Sequence, residues 1–252
     1  MQDKFRVKIK RQNTPDSGSY WQSFELEREA GMNMTSCLQR IAARPQTTDQ
    51  EDTTPVAYEV ACLEEVCGSC TMLVNGRVRQ ACSALVDDLL DDMNDTITLE
   101  PMSKFPVIRD LFVDRQKMFD NLKTIKGWIP VDGYHATGPG ARQSPKQQEA
   151  AYPLSECMTC GCCVEACPQF GPHSDFIGPA AISQVVYFNS NPVGSFNAAE
   201  RLKAIMGPGG ITDCGNAQNC VEVCPKDIPL TNSIAKASRA ATMQALRSLF
   251  NK

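Results

Sequence analysis

Thirteen cysteines occur in 252 residues, and eleven of them fall into three sets with ligand-like spacing. Cys62, Cys67, Cys70 and Cys82 form C-x4-C-x2-C-x11-C. Cys157, Cys160, Cys163 and Cys167, followed by Pro168, form C-x2-C-x2-C-x3-C-P. Cys214, Cys220 and Cys224, followed by Pro225, repeat the second spacing with Ala217 standing where one cysteine would be. Thiolates are soft ligands that hold iron and zinc. The chain opens MQDKFRVKIK, charged and without an apolar leader, so a reducing compartment is expected, in which clustered cysteines bind metal rather than pair as disulfides.

The first set, a short C-x4-C-x2-C hook with one distant cysteine, carries the signature of a plant-type 2Fe-2S site. Gly68 fits between the ligands because a residue without Cβ lets the backbone approach closely. Structural zinc is the alternative by ligand type, but zinc knuckles pair two short hooks and here the fourth cysteine stands alone. A Rieske centre needs two histidines, and the nearest is His135.

The second set is the bacterial ferredoxin run, whose fourth cysteine serves the other cluster of a pair. Crossing the two runs gives Cys157, Cys160, Cys163 and Cys224 a complete 4Fe-4S centre. Cys167, Cys214 and Cys220 are left with a corner that Ala217 cannot ligate, which predicts 3Fe-4S. A fourth iron capped by water or hydroxide is the alternative. Asn216 and Gln218 are poor iron ligands, and no acid or base stands beside them to use such an iron. Cys37 reads as a small core hydrophobe, while Cys162 lies between ligands but outside the repeat.

These loops need elements to position them. Phe5, Val7 and Ile9 alternate with basic residues, and after a turn near Pro15 to Gly18 a second alternating run passes Trp21, Phe24 and Leu26, which predicts a hairpin. Asn33 caps an expected helix through Met34, Cys37, Leu38 and Ile41 that stops at Arg44 before Pro45. A second hairpin is expected from Thr71 to Cys82 around Asn75-Gly76, and Ile97 to Glu100 form a closing strand. After Pro106 the spacing of Ile108, Leu111, Phe112, Phe119 and Leu122 predicts a helix. A loop from Ile129 to Pro145 and then helices without strands follow. Residues 1–106 carry 11 Lys and Arg against 17 Asp and Glu, residues 107–252 carry 14 against 12, and this change of charge sets a domain border near residue 106. The fold class is α+β: a sheet domain over 1–106 and an all-α domain over 107–252.

Several signals carry no chemistry. No apolar run is long enough to cross a bilayer. The stretch from Phe176 to Ala199 has no formal charge and reads as core or docking surface. Asp87, Asp88, Asp91, Asp92 and Asp95 lack the loop pattern of a calcium site and read as a solvated face. His135 and His173 have no nucleophile at a recognisable spacing, Gly207-Pro208-Gly209-Gly210 is a turn cluster, and the acidic chain lacks a basic stripe for nucleic acid.

The runs CLEEVCGSC with Cys82, CMTCGCCVEACP and CGNAQNCVEVCPK, in that order, resemble the iron-sulfur subunit shared by succinate dehydrogenases and fumarate reductases, over nearly the whole chain. The resemblance implies a plant-type ferredoxin domain of β-grasp fold followed by a bacterial-ferredoxin-like helical domain. It implies partners as well: an FAD-bearing flavoprotein that delivers electrons, a membrane anchor, and a quinone that accepts them beside the 3Fe-4S centre. Ubiquinone-reducing relatives usually carry a Trp shortly after the first CP and a His after the first cysteine of the second run. Pro172 and Gly215 stand there instead, which brings the chain nearer the menaquinone-linked branch with a haem b anchor, peripheral on the cytoplasmic face of a bacterial membrane. Succinate oxidation is the expected direction, with fumarate reduction as the same relay reversed. A soluble ferredoxin-like carrier, or a subunit of another flavoenzyme, is the rival reading.

Overall fold

The computed structural model describes residues 4–90, 94–129 and 142–250. Asp91, Asp92, His135 and most of the expected loop from Ile129 to Pro145 lie outside the described residues. The backbone separates into two units, one built from residues 1–115 and 160–165 and the other from residues 116–159 and 166–252.

In the first unit, β1 (Lys4–Arg11) and β2 (Tyr20–Glu27) pair antiparallel with Val7 opposite Phe24. Alternation decides which face is buried: Phe5, Val7 and Ile9 point into the core, while Arg6 and Lys10 turn outward to pair with Asp95 and Glu100. Helix α1 (Met34–Ala43) starts at Asn33 as expected. The Asn33 side chain accepts from Ser36 N at 2.9 Å, and Asn33 N donates to Ser36 Oγ at 3.0 Å, so two orphan donors of the first turn are satisfied. Met34, Cys37, Leu38 and Ile41 join Phe5, Val7 and Ile9 in one core.

Asn75 and Gly76 both take left-handed φ, +49° and +74°, the turn that matches strand twist, and they join β3 (Thr71–Val74) to β4 (Arg77–Gln80). The one-turn helix α2 (Val86–Leu89) leads to β5 (Thr96–Glu100), which runs parallel to β1 and antiparallel to β3. The resulting mixed sheet, in the order β2-β1-β5-β3-β4 with α1 packed on it, is the expected β-grasp arrangement.

One expectation fails here. Ile108, Leu111 and Phe112 do not begin a helix; β6 (Val107–Arg109) and β7 (Phe112–Val113) form a short hairpin, and α3 starts only at Gln116. The cause is Asp110, at φ +47° with its side chain fully buried. Its carboxylate takes two hydrogen bonds from the Arg11 guanidinium, at 3.1 and 2.9 Å, and one each from Gln12 N and Ala57 N. A helix through Asp110 would turn the carboxylate away from Arg11, and breaking a buried ion pair costs about 3–5 kcal/mol. Helix propensity differs by less than about 1 kcal/mol per ordinary residue, so the ion pair wins.

The second unit is helical: α3 (Gln116–Thr124), α4 (Pro145–Ser155), then, past the α5 turn (Cys162–Glu165) that belongs to the first unit, α6 (Pro179–Ser190), α7 (Ala198–Ala204), α8 (Asn219–Glu222) and α9 (Leu230–Phe250). Helix α6 packs against α3, α4, α7 and α9, so the uncharged stretch is mostly core from Phe176 to Val185, while its second half is largely half-buried and leaves Val193 and Phe196 exposed. Buried Ser233, Ala237 and Ala241 keep that face of α9 small where the helices pack. No helix among the described residues is long and apolar enough to cross a membrane.

Candidate metal centres

The four cysteines of the first set all lie in the first unit. After Cys62 the chain takes left-handed φ at Leu63, Glu65 and Gly68, and this curls the loop around the Cys62 sulfur. Glu64 N, Val66 N and Cys67 N donate to Cys62 Sγ at 3.5, 3.3 and 3.3 Å, and Ser69 N donates to Cys67 Sγ at 3.4 Å. Such donors stabilise negative sulfur. The hydrogen bonds from Ser69, ahead of those from Cys62, bring the Cys67 thiol down to about 6, whereas burial pushes Cys70 up to about 12. The backbone brings the last cysteine to the loop: Ala81 N donates to Cys70 O at 3.0 Å, next to Cys82. Four cysteines, three on one loop and the fourth just past the end of β4, are the donor set that two bridged irons require, so these residues fit a 2Fe-2S cluster.

Two contacts brace this loop. Arg115 donates to Gly68 O at 2.8 Å and Ser69 O at 3.4 Å while pairing with Glu59 at 2.6 Å, so one guanidinium ties down both residues between Cys67 and Cys70. A Cβ on Gly68 would fall 2.7 Å from Cys160 Cα and 2.8 Å from Cys160 Cβ, so glycine is required by the neighbouring ligand run as well as by its φ of +72°. Buried Glu165 accepts from Ser103 N at 2.8 Å and Lys104 N at 3.2 Å and anchors α5. Arg115 and Glu165 left no trace in the sequence reading, because their partners lie more than forty residues away; only the glycine between two cysteines hinted at the close approach.

Cys167, Cys214 and Cys220 lie in the second unit and line one pocket, together with Ala217, Gln169 and Phe176. Asn216 and Gln218 have left-handed φ, +52° and +66°, so the loop wraps the cavity from one side. Burial first, and then the charges of Cys167 and Cys214, push the Cys220 thiol up to about 11, which reports three sulfurs converging on one space. Ala217 lines the same pocket and would offer a cluster there a methyl group in place of a thiolate. Three cysteines with no fourth cysteine among the lining residues fit a 3Fe-4S cluster. Gln169 reaches into the same cavity, and a Cβ on Gly215 would meet its Nε2 at 2.7 Å.

Of the four remaining expected ligands, Cys160 and Cys163 are buried in the first unit, and Cys157 and Cys224 are half-buried in the second. Cys37 is a core residue of the first unit, its thiol pushed up to about 12 by burial. Asp87 and Asp95 make surface ion pairs with Arg28 and Arg6, whose hydrogen bonds hold both carboxyls below their usual range.

Two family models match: a 2Fe-2S iron-sulfur cluster binding domain over residues 6–120 and a 4Fe-4S dicluster domain over residues 156–229. The chain is 50% identical to the succinate dehydrogenase iron-sulfur subunit of Bacillus subtilis over 99% of its own length and 97% of the relative's. It is 30% identical to the fumarate reductase iron-sulfur subunit of Wolinella succinogenes, covering 88% of this chain and 90% of that one. Among solved structures, a chain of the Mycobacterium smegmatis Sdh1 complex in the apo form matches with a TM-score of 0.79 at 21% identity, over 97% of this chain and 98% of that one, and so shares the fold.

Proposed function

This chain belongs to the family of iron-sulfur subunits of succinate dehydrogenase and fumarate reductase, and from that premise we propose a specific ligand assignment, acceptor and place for it in the complex. Its role is electron transfer as a subunit of that oxidoreductase. Cys62, Cys67, Cys70 and Cys82 hold 2Fe-2S; Cys157, Cys160, Cys163 and Cys224 hold 4Fe-4S; Cys167, Cys214 and Cys220 hold 3Fe-4S. The bound clusters supply one-electron transfer between the FAD of a flavoprotein subunit and a quinone at the membrane anchor. The chain's own residues fix the spacing of the sulfurs, bury them and direct N–H groups at them, which sets potential.

The observation that carries this reading is the convergence of Cys167, Cys214 and Cys220 on one cavity whose wall includes Ala217. Ala217→Cys tests it: iron per chain rises from about nine to about ten in the fully loaded complex. A wild-type chain already holding ten would overturn the assignment.

Menaquinone is the proposed acceptor, with a haem b anchor on the cytoplasmic face. Pro172 and Gly215, in place of the Trp and His of ubiquinone-linked relatives, support this, as does 50% identity to the subunit from Bacillus subtilis. That identity also favours succinate oxidation over fumarate reduction. The assay is both activities of the purified complex with a menaquinone analogue, and fumarate reduction much faster than succinate oxidation would reverse the direction.

A further inference from the structure

The backbone N–H of Ser69 donates to Cys67 Sγ at 3.4 Å, and the carbonyl of that same peptide is Gly68 O. Gly68 O accepts twice, from the Arg115 guanidinium at 2.8 Å and from the Thr71 hydroxyl at 3.0 Å. A trans peptide holds its C=O and N–H on opposite sides of one plane, so the groups that grip the carbonyl also decide where the N–H points. One planar unit thus connects a guanidinium on one side to a ligand sulfur on the other. Neither contact depends on a proton that iron ligation removes. A backbone N–H can only donate, and arginine has five N–H donors, no acceptor and a permanent positive charge.

The remaining contacts hold the guanidinium where it is. Arg115 also reaches Ser69 O at 3.4 Å and pairs with Glu59 at 2.6 Å. The Arg115 side chain is 14% exposed and that of Glu59 36%, so water screens the anion more than the cation, and the loop feels a net positive charge. Gly68 cannot retreat from it, because Cys160 fills the space where a Cβ would stand. All of these residues belong to the first unit.

We propose that Arg115 is a positioning residue for the first centre: through the Gly68–Ser69 peptide it aims and polarises the Ser69 N–H at the Cys67 sulfur, and so raises the potential of the 2Fe-2S centre. The inference rests on the ligand assignment above, in which Cys67 holds iron. Reduction adds one negative charge to the centre, and an N–H directed at a ligand sulfur favours that charge. A carbonyl that accepts from a cation makes its own N–H a stronger donor, since hydrogen bonds in series polarise one another. Arg115 therefore acts twice, as a fixed charge and through the peptide, while Glu59 offsets part of the charge.

The test is an EPR-monitored redox titration of the assembled complex in four forms: wild type, Arg115→Met, Arg115→Lys and Glu59→Gln. Arg115→Met lowers the 2Fe-2S potential, with a fall of about threefold to tenfold in the reduced-to-oxidised ratio at fixed potential, or about 28–59 mV for a one-electron centre. Arg115→Lys keeps the charge and a donor for Gly68 O, and falls less than half as far. Glu59→Gln keeps an acceptor for Arg115 but removes its countercharge, so the potential rises. Were Arg115 a brace alone, Arg115→Met would shed the cluster sooner and leave the potential where it was. An unshifted or raised potential in Arg115→Met, a fall in Arg115→Lys equal to that in Arg115→Met, or an unshifted or lowered potential in Glu59→Gln overturns the proposal. If Arg115→Met loses its cluster before it can be titrated, the sign of the Glu59→Gln shift decides. Absence of a 2Fe-2S signal from the reduced wild-type complex overturns the ligand assignment itself, and the role of Arg115 with it.

Discussion

Replacing Gly68 by alanine places a methyl group where two ligand runs meet. The new Cβ would lie 2.7 Å from Cys160 Cα and 2.8 Å from Cys160 Cβ, separations that real Cβ atoms do not tolerate. Neither side yields easily, because Arg115 holds Gly68 O and Ser69 O while Glu165 holds α5. The left-handed φ of +72° costs an alanine about 1–2 kcal/mol, and overpacking adds about 1–3 kcal/mol. Together these amount to about 2–5 kcal/mol against the loaded loop. Gly31→Ala is the control, since its φ of +76° carries the backbone strain while nothing lies within 4 Å of its Cβ. The assay is the urea concentration that bleaches the visible absorbance of the 2Fe-2S centre in the purified complex after a fixed incubation. Gly68→Ala should bleach at clearly lower urea than Gly31→Ala. Equal midpoints would refute the claim that Cys160 occupies the space beside Gly68.

Arg115→Met removes the guanidinium from two loop carbonyls, leaving Gly68 O with the Thr71 hydroxyl alone, and leaves Glu59 unpaired, so the 2Fe-2S centre should be lost from the complex several times faster at 37 °C, with a destabilisation of about 1–3 kcal/mol read as the rate of absorbance decay. Asp110→Asn uncouples a fully buried Arg11, and a thermal melt of the complex should show a loss of about 3–5 kcal/mol in the first unit, whereas an unchanged melt would mean the pair is not formed. Cys37 has a folded pKa raised from 9.0 to about 12, so its burial contributes stability in full below pH 9 and that contribution fades as pH rises toward 12. Iodoacetamide at pH 8 should therefore leave Cys37 unmodified in the native complex and label it once the chain is unfolded, as peptide mapping would show.

The parts of this molecule that follow from local spacing were legible in the sequence. Alternation in Phe5, Val7 and Ile9 gave a strand, Asn33 gave a helix start, Asn75-Gly76 gave a hairpin turn, and the gap at Ala217 singled out the three cysteines that converge on one cavity. Local spacing misled at Ile108 to Phe112, where helical periodicity yielded to an ion pair between residues 99 positions apart. Arg115 was invisible for the same reason, since Gly68, whose carbonyl it holds, lies 47 residues earlier. Composition could not tell whether the uncharged stretch around α6 was core or surface, because only packing against α4, α7 and α9 decides that. Candidate ligands are legible from cysteine spacing, whereas the residues that brace their loops are set by tertiary contacts.

The central claim is that the Cys167, Cys214 and Cys220 site holds three irons because Ala217 offers no fourth ligand. EPR of the air-oxidised wild-type complex addresses it most directly, since an oxidised 3Fe-4S cluster is paramagnetic while oxidised 2Fe-2S and 4Fe-4S clusters are silent. The account predicts a 3Fe-4S signal near one spin per chain, separate from that of ferric haem in the anchor, which Ala217→Cys diminishes. An oxidised, fully loaded complex without a 3Fe-4S signal would contradict it.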